Sequence, residues 1–287
     1  MAATSTSIGA ERGILAGLLR RPPAVAGLVV LVVIVALAIF ASQVMPYPPG
    51  QLSIRSRLQG PSLLHLFGTD EFGRDVLSRT IHAGRISLAV GGTVVVVSAL
   101  IGVTLGLFAG YFRRLDPPLS RLIDAMMAFP DILLAIALVA ALGPSAVNVV
   151  LALGIVYAPR VARVVRASTL VIRELAYVEA ARALGVPTPV ILVRHVLRNL
   201  ASPVMVQGSF IFANAILAEA GLSFLGVGVS PDIPTWGTMI AMGRQFMDQA
   251  GWIMWFPGVA IILSVMSLQL LGDALRDLLD PRLSRTT

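Results

Sequence analysis

Six apolar runs, each long enough to cross a bilayer, constrain this chain more than any other feature. They cover about 22–45, 88–109, 122–142, 147–165, 203–226 and 252–271. Roughly 20 consecutive apolar residues span the hydrocarbon core. There, every backbone polar group must be satisfied by a helix or a closed barrel. No run shows the period-two alternation of a barrel strand, so the expected fold is all-α, with six transmembrane helices. The first run follows Arg20 and Arg21 and contains Ala36-Leu37-Ala38, which would serve as a signal-peptide cleavage site. Its length exceeds a signal core, and an uncleaved span is the better reading. The third and fourth runs carry Pro130 and Pro159, breaks that membrane helices tolerate when neighbours re-satisfy the freed backbone groups.

Orientation follows from the arginines. All 22 basic residues are Arg and none is Lys. With the N-terminus inside, sixteen fall on the cytoplasmic side: Arg12, Arg20 and Arg21, then Arg113, Arg114 and Arg121, seven between 160 and 198, and three at the C-terminus. Six fall outside: Arg55, Arg57, Arg74, Arg79, Arg85 and Arg244. That bias predicts an N-in, C-in topology. It also accounts for the net charge of +7 without invoking nucleic acid. Charged residues are only 13% of the chain and the mean hydropathy is +0.86, against about 25% charged in soluble domains. There is no cysteine, so disulfides, thiol catalysis and Cys-based metal sites are excluded. His65, His82 and His195 are scattered and form no ligand pair.

Four regions stand out. Gly102, Gly106 and Gly110 form a doubled small-xxx-small pattern, which lets two membrane helices approach closely. Between the fourth and fifth runs, residues 174–199 read as helix, tight turn, helix outside the bilayer. Gly185 suits a helix C′ position. Thr188 and Pro189 suit the cap and first turn of a second helix reaching about Asn199. Ala176, Ala180 and Ala183 line one face, with Glu179 among them. Two readings stand level: a docking surface for a partner, or an amphipathic hairpin packed on its own bundle.

Glu219 lies about 24 Å along the fifth run from Pro203 at 1.5 Å per residue. Intramembrane carboxylates face bundle interiors or cavities, so Glu219 with Ser223 and Phe224 is a candidate for the translocation path or a subunit interface. A local structural role is the alternative. Thr69, Asp70 and Glu71 read as a helix start with acids at its positive end. That amphipathic helix would carry Arg74, Asp75 and Arg79 as surface pairs. The outer loop 227–251, with Pro231, Pro234 and Trp236, suits a docking surface or a lid.

The order of motifs resembles one family. Glu179-Ala180-Ala181, three residues, then Gly185 is similar to the EAA loop of ATP-binding-cassette importer permeases. FGTDEFGRDVLSR at 67–79 is similar to the GTDxxGRDxxSR stretch of dipeptide, oligopeptide and nickel permeases. AEAGLSFLG at 218–226, PTWG at 234–237 and LGDALRDLLDPR at 271–282 follow in the family's order. One departure is Arg198, where the family pattern has Pro.

The resemblance implies the six-helix type I importer permease fold in the bacterial inner membrane. It implies a cytoplasmic tail at 1–21, a first span at 22–45, and an extracytoplasmic segment with its helix at 46–87. A five-helix core at 88–275 then carries a coupling loop at 172–200, before a C-terminal tail at 276–287. Glu179, Ala180, Ala181, Arg182 and Gly185 become the ATPase-coupling residues. The implied partners are a sister permease forming a heterodimer, two ATP-binding subunits that hold ATP and Mg, and an extracytoplasmic substrate-binding protein. The implied cargo is a di- or oligopeptide, with nickel complexes or glutathione as relatives' cargoes. The chain itself has no catalytic residues and no cofactor. A P-loop needs a Lys at the phosphates, and this chain has none. An ion-driven secondary transporter is the rival reading; it would place charged relays in the spans, where only Glu219 and Asp131 qualify.

Overall fold

The computed structural model describes residues 17–279, and its named elements are all helical. The tail residues before 17 and after 279, including Arg12 and Arg282, lie outside the described residues. Nine main helices organise the described residues: α1 (Pro22–Ile39), α2 (Val76–Tyr111), α3 (Asp116–Met127), α4 (Asp131–Leu142), α5 (Ala146–Ile172), α6 (Ala176–Ala183), α7 (Thr188–Phe224), α8 (Trp236–Gly243) and α9 (Trp252–Leu279). Five of them, α1, α2, α5, α7 and α9, are long and apolar enough to cross a membrane alone. The bent pair α3–α4 passes the same test only when its two helices are taken together, which brings the count up to six. Short turns at Ala41–Val44, Ile54–Ser56 and 244–250 fill the connections.

The expected run at 122–142, interrupted at Pro130, is divided there into two helices. α3 and α4 meet at 91°. Pro130 lacks an N–H and pushes the preceding residue out of the helical region, and its own backbone is extended at φ −59°, ψ 128°. α4 alone has 12 residues, about 18 Å at 1.5 Å per residue, so it cannot reach across by itself. Pro159 behaves differently. It is buried in the middle of α5, which continues unbroken from Ala146 to Ile172.

A correction concerns the outer segment. Thr69 does not start a helix. Residues 68–75 form a tight loop in which Asp70 Oδ1 accepts the backbone N–H groups of Phe72 and Arg74, both at 2.9 Å. An Asp side chain that satisfies nearby N–H groups competes with helix formation. Gly73 turns the chain at φ +73°, and a Cβ there would lie 1.8 Å from the Ser53 carbonyl oxygen. The helix begins at Val76, with Asp75 as its cap accepting from Ser78 N at 2.8 Å. It then runs 36 residues without interruption into the second span. The expected amphipathic helix and the span are therefore one element.

Nor are the charges of this motif surface pairs. Asp70, Asp75 and Arg79 are buried. Arg74 Nε donates to Asp70 Oδ2 at 2.6 Å, Arg79 Nε lies 3.5 Å from the same oxygen, and His65 Nδ1 is 2.9 Å from Asp75 Oδ1. Trp252 Nε1 donates to the Thr69 carbonyl at 3.0 Å. Together these contacts fasten the outer loop to the tops of α2 and α9.

Glu71 is the weak member of this clasp. One oxygen accepts from Arg74 at 3.4 Å, while Oε2 is buried without a partner. Burial pushes its pKa above the ordinary 4.5, opposed by a backbone hydrogen bond and by Arg74 and Arg79. A carboxyl whose folded pKa is raised holds extra protons in the folded state, so it subtracts stability as pH rises above its ordinary value. Glu71→Gln should therefore melt at a higher temperature than the wild type at neutral pH. Below the ordinary glutamate pKa that advantage should vanish; a thermal-unfolding series in detergent at several pH values reads it directly.

The main core lies between α2 and α5 and extends through α7 into the α6 region. A second cluster joins α2, α8 and α9, with α1 packed on its edge. α2 and α5 meet along the glycine stripe. A Cβ on Gly102 would lie 2.5 Å from Val161 Cβ, on Gly106 2.5 Å from the Ala162 carbonyl oxygen, and on Gly110 2.6 Å from Thr169 Cβ. Only glycine permits this separation of the two backbones.

Candidate functional site

The hairpin at 174–199 is built by two local devices. α6 ends in a Schellman turn: the Val186 N–H donates to the Ala181 carbonyl, and the Gly185 N–H to the Arg182 carbonyl, both at 3.1 Å. That closure needs a left-handed residue at C′, and Gly185 supplies it at φ +75°. Pro187, in extended conformation, then precedes Thr188, and the chain re-enters a helix. The Thr188 side chain makes no cap bond. The second helix of the hairpin does not stop at Asn199, as the sequence led one to expect. It passes through a π-helical stretch, Leu192–Leu197, and Arg198 at φ −60°, ψ −35°, and becomes the fifth crossing. Arg198 in place of the family's Pro is compatible with this continuity, since it keeps its N–H.

One side of the hairpin is anchored. Val178, Ala181, Ile191, Val196 and Leu200 are buried in the main core. Arg173 Nη1 donates to the Gly110 carbonyl at 2.7 Å, tying the foot of the hairpin to the C-terminal end of α2. The Arg182 guanidinium lies 5.7 Å from the Tyr111 ring centre. Asn199 Nδ2 donates to the Tyr177 hydroxyl at 3.1 Å across the hairpin.

The other side is bare. Glu179, Ala180, Arg182 and Gly185 are exposed, as are Ala176 and Ala183, while Ala181 is buried. Around them stand Leu175, Tyr177, Val190, Val193 and Leu197, all exposed, with Leu184 84% accessible. Glu179 makes no ion pair among the described residues.

A ladder of ion pairs holds the bent α3–α4 pair beside this hairpin. Arg160, Arg163 and Arg166, spaced three apart on α5, pair in turn with Asp131, Asp124 and Asp116. The last is bidentate, at 2.6 and 2.9 Å. Asp131 is thus an ion-pair partner at the α3–α4 bend and no relay within the apolar part of a span.

Glu219 sits elsewhere. It is 1% exposed on α7. Its Oε1 accepts from the Ser223 and Thr235 hydroxyls, both at 2.8 Å, and Oε2 has no partner among the described residues. Thr235 also caps α8 through a reciprocal bond pair with Thr238. Trp236, next in the chain, donates from its backbone to Ser87 Oγ and from its indole to the Thr80 carbonyl. The outer loop is therefore folded inward and joined to α7 and α2. Phe224 lies at the outer end of α7 under the Arg244 guanidinium, 5.2 Å away. Sequence reasoning missed Thr235 as the partner of Glu219. The signal available was the polar Thr235-x-x-Thr238 pair beside the Trp-Gly motif.

No group of three or more His, Asp or Glu side chains able to hold a metal is found among the described residues.

Comparison with known proteins agrees with this architecture. The family model described as binding-protein-dependent transport system inner membrane component matches residues 102–285. The N-terminal transmembrane domain of oligopeptide transport permease C matches residues 12–61. A Brucella suis protein named as the permease of a peptide transport system is 49% identical over 266 residues, covering 93% of this chain and 90% of the relative. The dipeptide transport system permease protein of Escherichia coli is 45% identical over 273 residues, covering 93% and 91%. The glutathione transport system permease protein of Pectobacterium atrosepticum is 43% identical over 267 residues, covering 92% and 89%. With long apolar helices and matches over nearly its whole length, the chain belongs to the binding-protein-dependent transport system inner membrane components, as a multi-pass permease subunit of the peptide ABC importer group.

Proposed function

We propose that this permease forms half of the translocation pathway for short peptides and draws its driving force from separate ATP-binding subunits that dock on the hairpin at 174–199. The bare apolar face around Glu179 carries the reading, because such a surface in the cytoplasm calls for a partner. Ala176, Ala180 and Ala183 allow close backbone approach, and Glu179 offers a charge to a basic residue of that partner. ATP and Mg belong to the ATPases, for this chain has no Lys to build a phosphate loop.

Geometry suggests how movement would travel. α7 runs unbroken for 37 residues from the hairpin to the outer loop. At its far end Glu219 holds Thr235, the cap of α8. Displacing the hairpin would therefore tilt a helix whose outer end carries the outer loop with it. In this reading Glu219 is a tie between α7 and the loop, and Ser223 completes the tie. Alternating access needs two arrangements of the bundle that nucleotide favours differently. A related sister permease would supply the other half of the pathway. An extracytoplasmic binding protein would deliver cargo to the outer face and set most of the selectivity.

The cargo assignment leans on relatives named for peptides, with glutathione as the second reading because one relative is named for it. Reconstituting the chain with its copurifying partners in vesicles tests the whole proposal. Labelled dipeptide should accumulate with ATP and stop on ATP removal, and should survive collapse of the ion gradients. Accumulation that ignores ATP but collapses with an ionophore would establish the secondary-transporter alternative. ATP-dependent uptake of glutathione or nickel complex in preference to dipeptide would reassign the cargo.

A further inference from the structure

The outer end of the first helix borders a cavity of about 390 Å³ between α1, α2 and α9. Leu37, Leu77, Ile81, Trp236, Val259 and Leu263 are among its walls. Three small residues belong to its wall: Gly84 of α2, where a Cβ would lie 3.1 Å from the Trp236 ring and 3.8 Å from the Ala38 Cβ, Ala38 of α1, and Ala260 of α9. Phe67 and Phe256 stack at 3.7 Å, almost parallel, within the same lining.

Nothing polar is free inside. The lining holds no charged residue, and its one hydroxyl, on Thr80, is spent on the Val76 carbonyl at 2.7 Å. The indole N–H of Trp236 is spent on the Thr80 carbonyl. Such a wall can recognise only an apolar ligand.

Position decides which one. α1 buries only Ala24, Gly27 and Ala38, so most of its surface faces the bilayer. The rim of the cavity is continuous with that surface: Leu37, Val259 and Leu263 are part-open, and Val33 and Ile262 beside them are more than half or about half exposed. The level is that of the outer leaflet, because Gly84 stands beside Ala38, five residues short of the Gln43 turn that ends the first crossing, and Tyr47 N bonds to Ser78 Oγ just above. A whole helix with its side chains is about 10–12 Å across, whereas this notch is enclosed by three helices and suits a single alkyl chain.

We infer that this notch is a binding site for one acyl chain of an outer-leaflet phospholipid, seated between the first helix and the permease core. The chain would fill the cavity between the three helices and so cement α1 to α2 and α9.

Trp236 forms part of the wall and is 2% exposed, which makes it the reporter. Trp252 and Trp255 are the other two tryptophans. In the full chain carrying W252F and W255F, placed in nanodiscs, phosphatidylcholine brominated along its acyl chains should quench Trp236 emission relative to the unbrominated lipid. Val259→Phe and Ala260→Phe, each plugging the notch, should restore the emission. Native mass spectrometry should show one retained phospholipid fewer in each plugged variant. Unchanged emission of a variant in unbrominated lipid shows that the surroundings of Trp236 are intact. Equal emission in both lipids overturns the inference, as does quenching that neither plug relieves. Protection of Trp236 from bromine on adding the copurified sister permease would also overturn it, by making the notch a subunit contact.

Discussion

Gly185→Val should leave the importer in the membrane but cut ATP-driven uptake by roughly five- to thirtyfold, the factor that 1–2 kcal/mol of left-handed backbone strain implies. Gly185 closes the turn of the hairpin at φ +75°. A Cβ there would meet nothing within 4 Å, so the penalty is conformational and stays within the turn. The core beneath, held by Val178, Ile191 and Val196, should survive. A graded series sharpens the expectation. Asparagine tolerates the left-handed region and should be mildest, alanine intermediate, and β-branched valine worst. Glu179→Ala is the companion test. Glu179 is exposed and unpaired among the described residues, so its loss should leave the melting temperature of the isolated chain unchanged. In the assembled importer, truncating one side of a desolvated charge pair costs about 2–5 kcal/mol, and uptake should fall accordingly while basal ATP hydrolysis persists. Wild-type uptake in both variants would remove the hairpin from the coupling route.

The second large effect is expected at the α2–α5 seam. Gly106→Ala places a methyl 2.5 Å from the Ala162 carbonyl oxygen, a backbone atom that cannot rotate away. The helices must separate, and overpacking of this kind costs about 1–3 kcal/mol. The same change at Gly102 meets both Val161 Cβ and the Ala158 carbonyl, so the double variant should lose most of its folded, membrane-inserted material. Gly258→Ala is the matched control: it lies within α9, and its Cβ would meet nothing within 4 Å. Replacing an unhindered helical glycine gains about 0.4–1 kcal/mol, so this variant should melt at or above the wild type. Membrane levels and thermal unfolding in detergent distinguish the two. Equal stability of Gly106→Ala and Gly258→Ala would mean that the seam is looser than its geometry.

Some features of both fold and site were readable before any coordinates. The Gly185 turn is one: a glycine followed by Val186 and Pro187 admits few backbone conformations. The continuity of the hairpin into α7 was not readable. Pro189, Asn199, Arg198 and Pro203 all suggest boundaries, yet the helix absorbs Pro203 without a break. Whether a proline breaks a helix depends on what lies opposite the lost hydrogen bond, and Pro130 and Pro159 show both outcomes. Glu219 is similar. Its local sequence names only Ser223 as a possible donor; Thr235 arrives from sixteen residues away.

What the amino-acid order determined by itself is the class of solvent each segment occupies. Apolar length, arginine placement and the absence of lysine are sums over single residues, so a multi-pass helical membrane chain without a phosphate-loop lysine of its own can be read without geometry. Tertiary structure decided what depends on a partner brought in by packing: the Asp70–Arg74–Arg79 clasp in place of a helix, and the bond from Glu219 to the outer loop. The reason is the same in each case. A buried polar group takes whichever donor or acceptor the fold brings within about 3 Å, and that neighbour is set by packing, which no local window of sequence contains.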